Sequence, residues 1–431
     1  MTAATPTADD GCFDEAALRQ RLAAAFAGVA RKRVVVAVSA AGRRAYAAVG
    51  GGADAADEAE HRAVPTGCVT KLLVAALVDV ELACGRLACD DDVADVLDTP
   101  YRHVLAGTTI RHLLEHTHGL DDSSLTAAPL RSGGFVDADA LLTRLDGERL
   151  AAPGAFYSYS NAGAWLLAAV LERLHRRPFA VQLRERVLDA LGLRERCCEP
   201  SLVPGRSICP SMGGTLALSA RDLLTFLEAR ADAWRARAGT DRVTPLPGWN
   251  ALEKGICLGW KSHGEGWLGH QSIWPGASLM VRIEPQRRIA LVIASEHQPA
   301  QLVATKLFAG LLPELKHLTL PKRLPPERAA ALDRGPYCGR YGCAAESWAI
   351  SIDDDGAPAL RLTTAAFATR LAPAADDLFF ADAPGPGQLA FVQFIDNTES
   401  AFRYLWDGRR LLRRRPDPDS FALARTTTVS R

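Results

Sequence analysis

Strand-like segments at both ends of a long helix-rich region constrain the fold of this chain more than any other feature. Near the start, KRVVVAVSA and RRAYAAVG are rich in apolar and β-branched residues and are joined by a short AGR turn, as in a hairpin. Far along the chain, ASLMVRIEP and RRIALVIASE form a second pair around a polar turn. One sheet can hold all four segments only if the two ends of the region pair, which predicts an α+β domain with an antiparallel sheet.

Helical patterns fill most of the sequence between these strands and continue on both sides of them. Thr109 is the predicted N-cap of a short helix, and Ser160 or Asn161 is the predicted N-cap of a longer one. Gly85 is the predicted C-cap of an apolar helix that follows Cys68. We predict helices over residues 14–31, after Cys68, over 109–116, and in SNAGAWLLAAVLERLHRR, SARDLLTFLEARADAWRARA and LVATKLFAGLLPEL.

The character of the sequence changes towards the C-terminus. PKRLPPERAAALDRGP is rich in proline and charge and is typical of a linker, which we place at residues 321–334. Short alternating segments such as LAFVQFID follow, separated by Gly, Pro, Asp and Asn. We therefore predict one domain over residues 1–320 and a small all-β domain, a barrel or a sandwich, over residues 335–431.

The charge balance and the cysteines narrow the functional classes. The chain has 431 residues with 50 basic and 50 acidic side chains, so no net charge directs it to nucleic acid or to an anionic membrane. No run of about 20 apolar residues predicts a transmembrane helix, and the polar N-terminus lacks the pattern of a secretory signal. The 10 cysteines show neither CxxC pairs nor a metal-site spacing. We therefore expect a cytoplasmic protein with reduced thiols and with neither a metal nor a cofactor.

Cys68 and Lys71, in PTGCVTK, stand three residues apart at the start of the apolar helix. At that spacing both side chains lie on one face of a helix. A thiol at a helix N-terminus experiences the positive end of the helix dipole, and a neighbouring ammonium lowers its pKa further. A neutral Lys71 would instead accept the thiol proton. Either state suits an activated nucleophile, whereas the alternative is an inert cysteine packed in the core.

Five segments of the first domain occur in an order that indicates a known family. They are PTGCVTKLLVAALV, TIRHLLEHTHGL, FYSYSNAGAWLLAAVLE, GGTLALSARDLLTFL and LGHQSIWPGASLMVRIEPQRRIALVIASE. Together they resemble the penicillin-binding-protein and class C β-lactamase superfamily of serine hydrolases. The resemblance implies an antiparallel sheet flanked by helices plus an all-α subdomain. The segment from YCGRYGC onward looks like the lipocalin-like β-barrel that some members carry.

Three motifs of that superfamily match positions of this chain. The S-x-x-K motif falls on Cys68 and Lys71, and the Y-x-N motif falls on Tyr159 and Asn161. The third motif, K/H-x-G on an edge strand of the sheet, corresponds to HQS at residues 270–272. The chain departs from the pattern twice, because a cysteine stands where the family has its nucleophilic serine and a serine stands where the third motif usually has glycine.

The resemblance implies a role for each matched position. Cys68 would attack a carbonyl and form a thioester acyl-enzyme. Lys71 and Tyr159 would share the proton transfers, and Asn161 would hold Lys71 or the substrate. The backbone N–H of Cys68 and one from the strand at Ser272 to Ile273 would form the oxyanion hole. Because the Ser272 side chain occupies space that glycine leaves open, we expect substrate binding to differ from that of the family.

The histidines of RHLLEHTHGL are further candidates. We expect His116 to brace the loop and His118 to face the pocket and contact the substrate. A metal site made of His112, His116 and His118, at positions i, i+4 and i+6, is the alternative that we do not favour.

The third motif is flanked by more candidate substrate-binding residues. His270 either takes part in catalysis or lines the pocket wall as a strand residue. Ile273 continues the same strand. Trp267 and Trp274 either form an apolar substrate wall or cap the core, and the sequence favours neither reading.

Three functions remain open. The first is an acyltransferase: exchanging a substrate thioester for a Cys68 thioester is nearly thermoneutral, so a carrier-protein or coenzyme A thioester is a natural donor and a small-molecule amine a natural acceptor. The second is a hydrolase of esters, amides or D-amino peptides with a variant nucleophile. The third is a non-catalytic binding module. We favour it less because a binding module does not need the proton-transfer groups Lys71, Tyr159 and Asn161.

Two further points accompany these functions. An engineered serine-to-cysteine replacement is another explanation for the thiol at position 68. The C-terminal domain has three candidate roles, which are to cover the active site, to bind the carrier protein, or to mediate a homodimer.

Overall fold

The structure is a computed structural model, and it divides into a mixed sheet-and-helix unit and a β-barrel. It describes residues 16, 20, 33–40, 42–50, 60–125, 130–132, 134–147, 149–193, 216–237, 242–248, 250, 253–274, 277–295, 325–353, 359–375, 377–382, 391–398 and 401–416. Two predicted helices, at residues 14–31 and in LVATKLFAGLLPEL, lie outside these ranges apart from two isolated positions.

An antiparallel sheet of eight strands forms the centre of the first unit in the described part of the chain. Its order is β2-β1-β12-β11-β10-β9-β8-β7, and the opening strand β1 pairs with the late strand β12 from Val34–Ser295 to Ala40–Ile289. The prediction that both ends of the region share one sheet is therefore confirmed. The strands of this unit are β1 (Val34–Ala40), β2 (Arg43–Val49), β3 (Ala63–Pro65), β4 (Arg131–Ser132), β5 (Phe135–Val136), β6 (Ala217–Ser219), β7 (Thr244–Pro245), β8 (Gly255–Cys257), β9 (Trp260–Gly264), β10 (Trp267–Trp274), β11 (Ala277–Glu284) and β12 (Ile289–Ser295).

The helices pack on this sheet and form a helical subdomain between β3 and β6. Helix α1 is deeply buried, with apolar side chains that include Leu72 and Leu77, and it follows a 3₁₀ turn at Gly67–Val69. None of the described helices combines the length and the apolarity needed to span a lipid bilayer. The helices are α1 (Thr70–Ala83), α2 (Val93–Leu97), α3 (Arg102–Leu105), α4 (Ile110–Leu114), α5 (Ala138–Leu145), α6 (Ala162–His175), α7 (Phe179–Leu183), which continues into a π-helical turn (Arg184–Leu188), α8 (Ala220–Ala236) and α9 (Pro326–Ala330).

The predicted caps of α1 and α4 are confirmed, and the predicted cap of α6 differs. Thr109 caps α4 by accepting from the backbone N–H of His112, and Gly85 adopts the left-handed conformation just after α1. Asn161 is the N-cap of α6 by position, but its side chain makes no capping bond. The carboxylate of Asp122 instead accepts from the N–H groups at the start of α6, which leaves the Asn161 amide for the active site.

The second unit is a closed antiparallel barrel, which decides between the predicted barrel and sandwich. Aromatic rings fill it, with Tyr337 stacked on Phe402 at 4.8 Å between ring centroids. Because residues 296–324 lie outside the described part, the division into 1–320, 321–334 and 335–431 stays a prediction. The barrel strands are β13 (Gly339–Gly342), β14 (Ser347–Asp353), β15 (Ala359–Thr363), β16 (Ala368–Ala375), β17 (Leu378–Ala381), β18 (Phe391–Asn397), β19 (Phe402–Trp406) and β20 (Leu411–Arg415).

The barrel docks on the segment that leads into α6. The backbone N–H of Tyr159 donates to the carbonyl oxygen of Arg409 at 2.8 Å, and the N–H of Leu411 donates to Oγ of Ser158 at 3.2 Å. The rings of Phe156 and Tyr404 meet at 5.2 Å between centroids. The turn between β19 and β20 is thereby brought to the tyrosine of the Y-x-N motif.

Gly119, in the loop after α4, is irreplaceable by alanine for a steric reason. Its φ is +72°, and a Cβ there would lie 2.0 Å from the carbonyl oxygen of Ala151. Gly85 has a φ of +67° with no atom within 4 Å of the added Cβ, so it is the matched control. We expect Gly119→Ala to lower the free energy of unfolding by about 3 kcal/mol or more and Gly85→Ala by about 1 kcal/mol. Urea denaturation followed by tryptophan fluorescence measures both, and equal losses would contradict the clash.

Candidate active site

Cys68 and Lys71 lie at the start of α1, one helical turn apart. Cys68 is half-buried in the 3₁₀ turn that opens the helix. The ammonium of Lys71 donates to Oδ1 of Asn161 at 2.8 Å, and it lies 4.9 Å from the centre of the Tyr159 ring. The structure thus brings the S-x-x-K and Y-x-N positions together, as the sequence predicts.

Tyr159 is buried against the thiol. Its hydroxyl faces Cys68, and its ring is 4.8 Å from that of His116 and 6.0 Å from that of His270. Burial, together with the neighbouring thiol, raises the pKa of Tyr159 well above its usual value. In the free enzyme Tyr159 is therefore a neutral phenol that can donate to a thiolate.

The charges around Cys68 favour its ionised form. Burial raises the pKa of the thiol, but the ammonium of Lys71, the hydroxyl of Tyr159, and the more distant cations Arg409 and Lys261 together outweigh burial. The net effect is a pKa below the usual value for cysteine. A thiolate is the reactive form of cysteine, so these groups favour the state in which Cys68 can act as a nucleophile.

The lowered pKa predicts the pH dependence of alkylation at Cys68. Because a lower pKa leaves more thiolate at a given pH, the rate with iodoacetamide should reach its half-maximum below about pH 8.5, the midpoint for a free cysteine. Peptide mass spectrometry of Cys68 across pH measures the rate, with a cysteine-containing peptide as the control. A midpoint at or above that of the peptide would contradict the lowered pKa.

The third motif lies on β10, which corrects one expectation from the sequence. β10 is an interior strand of the eight-stranded sheet and not an edge strand. Its pairing with β9 ends at Gly269 opposite Lys261, so residues 270–274 pair with β11 only in the described sheet. That half of β10 is a local edge beside the 3₁₀ turn of Cys68, which explains why the motif reads as an edge strand.

The predicted substrate-binding residues of β10 differ in their surroundings. His270 is buried, and its Nδ1 accepts from the N–H of Gln271 at 2.9 Å. Burial lowers the pKa of His270 well below its usual value, so the ring is neutral. The hydroxyl of Ser272 is buried without a hydrogen-bond partner among the described residues, and Ile273 is 61% exposed. The side chain of Trp274 lies outside the described part.

Trp267 belongs to the core. It is buried in a cluster with Ala40 and Ile289. Of the two readings left open for this residue, the structure therefore supports core packing and not a substrate wall.

His116, in the loop after α4, is buried and contacts the next segment as expected of a bracing residue, whereas His118 does not lie where it was expected. His116 is the one beside Tyr159, and its Nδ1 accepts from the N–H of Ser160 at 3.3 Å. His118, expected to face the substrate, is 1% exposed, and its Nδ1 accepts from the N–H of Leu120 at 3.0 Å. Burial lowers the pKa of His118 to about 4. His118 is turned inward because Gly119, with its left-handed backbone, bends the loop directly after it.

His112 lies in the first turn of α4. Its Nδ1 accepts from the N–H of Thr109 at 3.2 Å, which completes a capping box. The three histidines therefore make separate contacts and do not converge. No group of three or more His, Cys, Asp or Glu side chains in the described ranges is arranged to hold a metal ion.

Two cations at the site escaped the sequence analysis. The ammonium of Lys261 on β9 lies 5.2 Å from the centre of the Tyr159 ring, and the guanidinium of Arg409 lies 5.8 Å from it. Arg409 lies in the arginine-rich run DGRRLLRRRPDP, which shows no pattern that predicts contact with another domain. Lys261 lies in WKSHG, which contains no motif. Only strand register and domain docking bring these residues to the site.

A cavity of about 610 Å³ lies beside the segment that leads to Tyr159, and Cys68, Lys71, Tyr159 and Asn161 are not among its lining residues. Phe156, Tyr157 and Leu246 line one part of it, and both Leu246 and Cys68 pack against the cluster of Tyr157, Tyr159 and Ile256. Arg111 and Glu115 line another part. The volume is in the range that holds a small-molecule substrate.

An activated thiol with an ammonium and a phenol beside it can attack a carbonyl and move the protons of acyl transfer. The fold and the site thus define an enzyme of the hydrolase and acyl-transfer class. The Beta-lactamase family model matches residues 15–311. The chain belongs to this family.

Known relatives agree with the assignment. Penicillin-binding protein 4 of Amycolatopsis lactamdurans is 25% identical in an alignment 322 positions long, and the match covers 64% of this chain and 83% of that protein. The solved structure of SurE with D-Leu is 26% identical, covers 93% of this chain and all of its own, and has a TM-score of 0.72. A D-stereospecific amidohydrolase from a Streptomyces species has the same fold for 69% of this chain and 99% of its own, at 22% identity and a TM-score of 0.53.

Proposed function

We propose that this protein is an acyltransferase that forms an amide, or an ester, through a thioester acyl-enzyme on Cys68. The observation that supports this most directly is a thiol of lowered pKa in place of the family's serine, with Lys71, Tyr159 and Asn161 retained around it. A thioester reacts more readily with amines, relative to water, than an oxygen ester does. A site that keeps its proton-transfer groups and changes only the nucleophile is suited to transfer.

The first half-reaction acylates the enzyme. The Cys68 thiolate attacks the carbonyl carbon of a donor thioester, so a new C–S bond forms while the C–S bond to the donor thiol breaks. The donor sulfur leaves as a thiolate and takes a proton from the solvent, while Tyr159 stays a neutral phenol. The products are the Cys68 thioester and the free donor thiol, and the negative charge of Cys68 leaves with the donor sulfur.

The second half-reaction transfers the acyl group. An amine attacks the thioester carbonyl, the C–N bond forms, and the C–S bond to Cys68 breaks. Tyr159 takes the proton of the amine as it gives its own proton to the sulfur of Cys68, so the phenol is restored and Cys68 is released as a thiol that ionises again. Lys71, held by Asn161, keeps a positive charge beside both groups in each step.

The remaining predicted positions have proposed places in this scheme. The N–H of Cys68 and an N–H at Ser272 to Ile273 are proposed to bind the carbonyl oxygen. His270 lines the pocket as a neutral side chain.

The substrate is proposed from the chemistry and from one relative. A carrier-protein or coenzyme A thioester is the proposed donor, because thioester exchange with Cys68 is nearly thermoneutral. SurE, whose structure is with D-Leu, supports a D-amino-acid residue in the acyl group. A reduced cytoplasm suits a thiol nucleophile, and we propose that location. A homodimer through the barrel is a further proposal.

An experiment with and without an amine separates transfer from hydrolysis. The protein is incubated with the N-acetylcysteamine thioester of acetyl-D-leucine, and intact mass shows whether an adduct forms on Cys68. We expect an adduct that discharges to an added amine faster than to water. Equal discharge to water would instead establish a hydrolase. The absence of an adduct with carrier-bound, coenzyme A and N-acetylcysteamine donors would overturn the proposal in favour of a binding module.

A further inference from the structure

The cavity of about 610 Å³ beside the segment that leads to Tyr159 is lined from two parts of the fold. Helix α4 and the residue after it contribute Arg111, His112 and Glu115, and the chain around β7, at the end of the sheet, contributes residues 242 and 244–247. None of the four residues assigned to the reaction lines this cavity. It is therefore separate from the reaction centre.

The carboxylate of Glu115 is a buried acceptor that its neighbours satisfy only in part. Glu115 is 2% exposed, and its Oε2 accepts from Oγ1 of Thr244. Its Oε1 has no hydrogen-bond partner among the described residues. Burial raises the pKa of Glu115 above its usual value, although Thr244, Arg111 and the backbone of Leu258 act against the rise. A further donor would stabilise this carboxylate, and an ammonium group would do so most strongly.

Two guanidinium groups line the same cavity. Nη1 of Arg111 is 3.6 Å from Oε1 of Glu115, and its Nε is 3.5 Å from Oδ1 of Asp90. Both distances exceed that of a charge-assisted hydrogen bond, so Arg111 keeps donors for a ligand. Arg242 is exposed, and its Cα is at most about 7 Å from that of Thr244, which bonds to Glu115. Both cations therefore lie within reach of a small molecule bound at Glu115.

The charges that line the cavity balance. Arg111 and Arg242 oppose Glu115 and Asp90. Burial lowers the pKa of His112 below its usual value, so its ring is neutral near pH 7. A ligand with a single charge would be attracted by one pair of side chains and repelled by the other. A molecule that carries an ammonium and a carboxylate a few bonds apart is complementary to both pairs.

Apolar side chains form much of the remaining lining. Phe156 and Tyr157 contribute from the segment before Tyr159, and residues 245–247 contribute two prolines and Leu246. The ring of Phe156 packs on Tyr404 of the barrel, 5.2 Å away between centroids. A ligand with an aromatic or large aliphatic group would bury apolar surface against this wall.

We propose that this cavity binds a small zwitterion, an α-amino acid with an aromatic or large aliphatic side chain. The ammonium donates to Oε1 of Glu115, and the carboxylate accepts from Arg111 and Arg242. Arg111 turns from Glu115 towards the ligand carboxylate, which opens Oε1 to the ammonium. The side chain of the ligand packs on Phe156 and Leu246. The inference does not depend on the proposed function, because the site lies outside the reaction centre and its test measures binding.

Isothermal titration calorimetry with three matched ligands tests the two charges separately. Phenylalanine carries both charges, phenethylamine lacks the carboxylate, and hydrocinnamate lacks the ammonium. We expect phenylalanine, taken as the tighter-binding of its two enantiomers, to bind with a Kd of about 1 mM or lower. Each analogue should bind about 10-fold more weakly. An analogue that binds as tightly as phenylalanine, or phenylalanine that shows no saturable binding, would overturn the proposal.

Two substitutions should affect these ligands differently. Glu115→Gln keeps an acceptor for Thr244 and removes the charge, so phenylalanine and phenethylamine should bind about 10-fold more weakly, with hydrocinnamate within about threefold. Arg242→Met should weaken phenylalanine and hydrocinnamate by about threefold, because the arginine is exposed, and should leave phenethylamine unchanged. Arg340→Met removes an exposed arginine on β13 and is the control. The same change for all three ligands in both variants would contradict the assigned contacts and overturn the proposal.

Variants at exposed positions keep the test decisive if thermal unfolding shows that Glu115→Gln is unstable. Ala155→Trp adds a bulky side chain at an exposed lining position, so phenylalanine should bind about 10-fold or more weakly. Ala152→Trp lies in the same exposed loop but outside the lining, and it should bind normally. Protein carbamidomethylated at Cys68 should also bind normally. Unchanged binding by Ala155→Trp, or binding lost on alkylation of Cys68, would show that the ligand lies elsewhere.

Discussion

Replacing Cys68 with alanine is expected to lower acyl transfer by about 10⁴-fold or more, because the acyl-enzyme can no longer form. The Lys71, Tyr159 and Asn161 side chains remain in that variant, so the comparison isolates the sulfur atom. The measurements are amide formation from a donor thioester and the mass adduct on the protein, and both should be lost.

Two matched variants sharpen this prediction. Cys84→Ala removes an exposed thiol at the other end of the same helix, and it should leave activity unchanged. Cys68→Ser replaces the thioester with an oxygen ester, which is less reactive towards amines relative to water, so the ratio of hydrolysis to transfer should rise. Turnover by Cys68→Ala equal to that of the unchanged protein would refute the whole mechanism.

Replacing Lys71 with methionine is expected to lower transfer by about 10²- to 10⁴-fold. The ammonium is the positive charge that lowers the pKa of the thiol most, so its loss raises the pKa of Cys68 and reduces the thiolate near neutral pH. The substitution also removes the donor to Asn161. Part of the lost alkylation rate of Cys68 should therefore return as the pH is raised.

Lys254→Met is the control for the loss of a lysine. Lys254 is exposed, and its ammonium donates to the carbonyl oxygen of Asn250 away from the thiol, so its activity should match that of the unchanged protein. Should Lys71→Met alkylate and transfer at the unchanged rate at every pH, the assignment of Lys71 to the site would be wrong.

The parts of the site that could be predicted are those set by short stretches of chain. Cys68 and Lys71 share a helix face because three residues make almost one turn. Thr109 caps its helix because its side chain reaches an N–H three residues on. The pairing of β1 with β12 was predictable because apolar strands at both ends had no other sheet to join.

The predictions that the structure corrected concern the loop after α4 and the position of β10 in the sheet. His118 turns inward, because the left-handed backbone at His116 and Gly119 fixes the course of the loop on both sides of it. β10 is interior because β9 pairs with only part of it. Spacing along the sequence does not encode either feature, since a turn conformation and a strand register are set by contacts with distant residues.

The sequence by itself determined a helix with a thiol and an amine on one face, the tyrosine and asparagine that accompany them, and a sheet that joins both ends of the first unit. The tertiary structure decided which charges surround the thiol. Lys261 reaches Tyr159 through the fork between β9 and β10, and Arg409 reaches it through the docked barrel. A helix repeats its geometry every few residues, so its sequence reveals its faces. Contacts across strands and between domains depend on register and docking, which follow from the free energy of the whole fold.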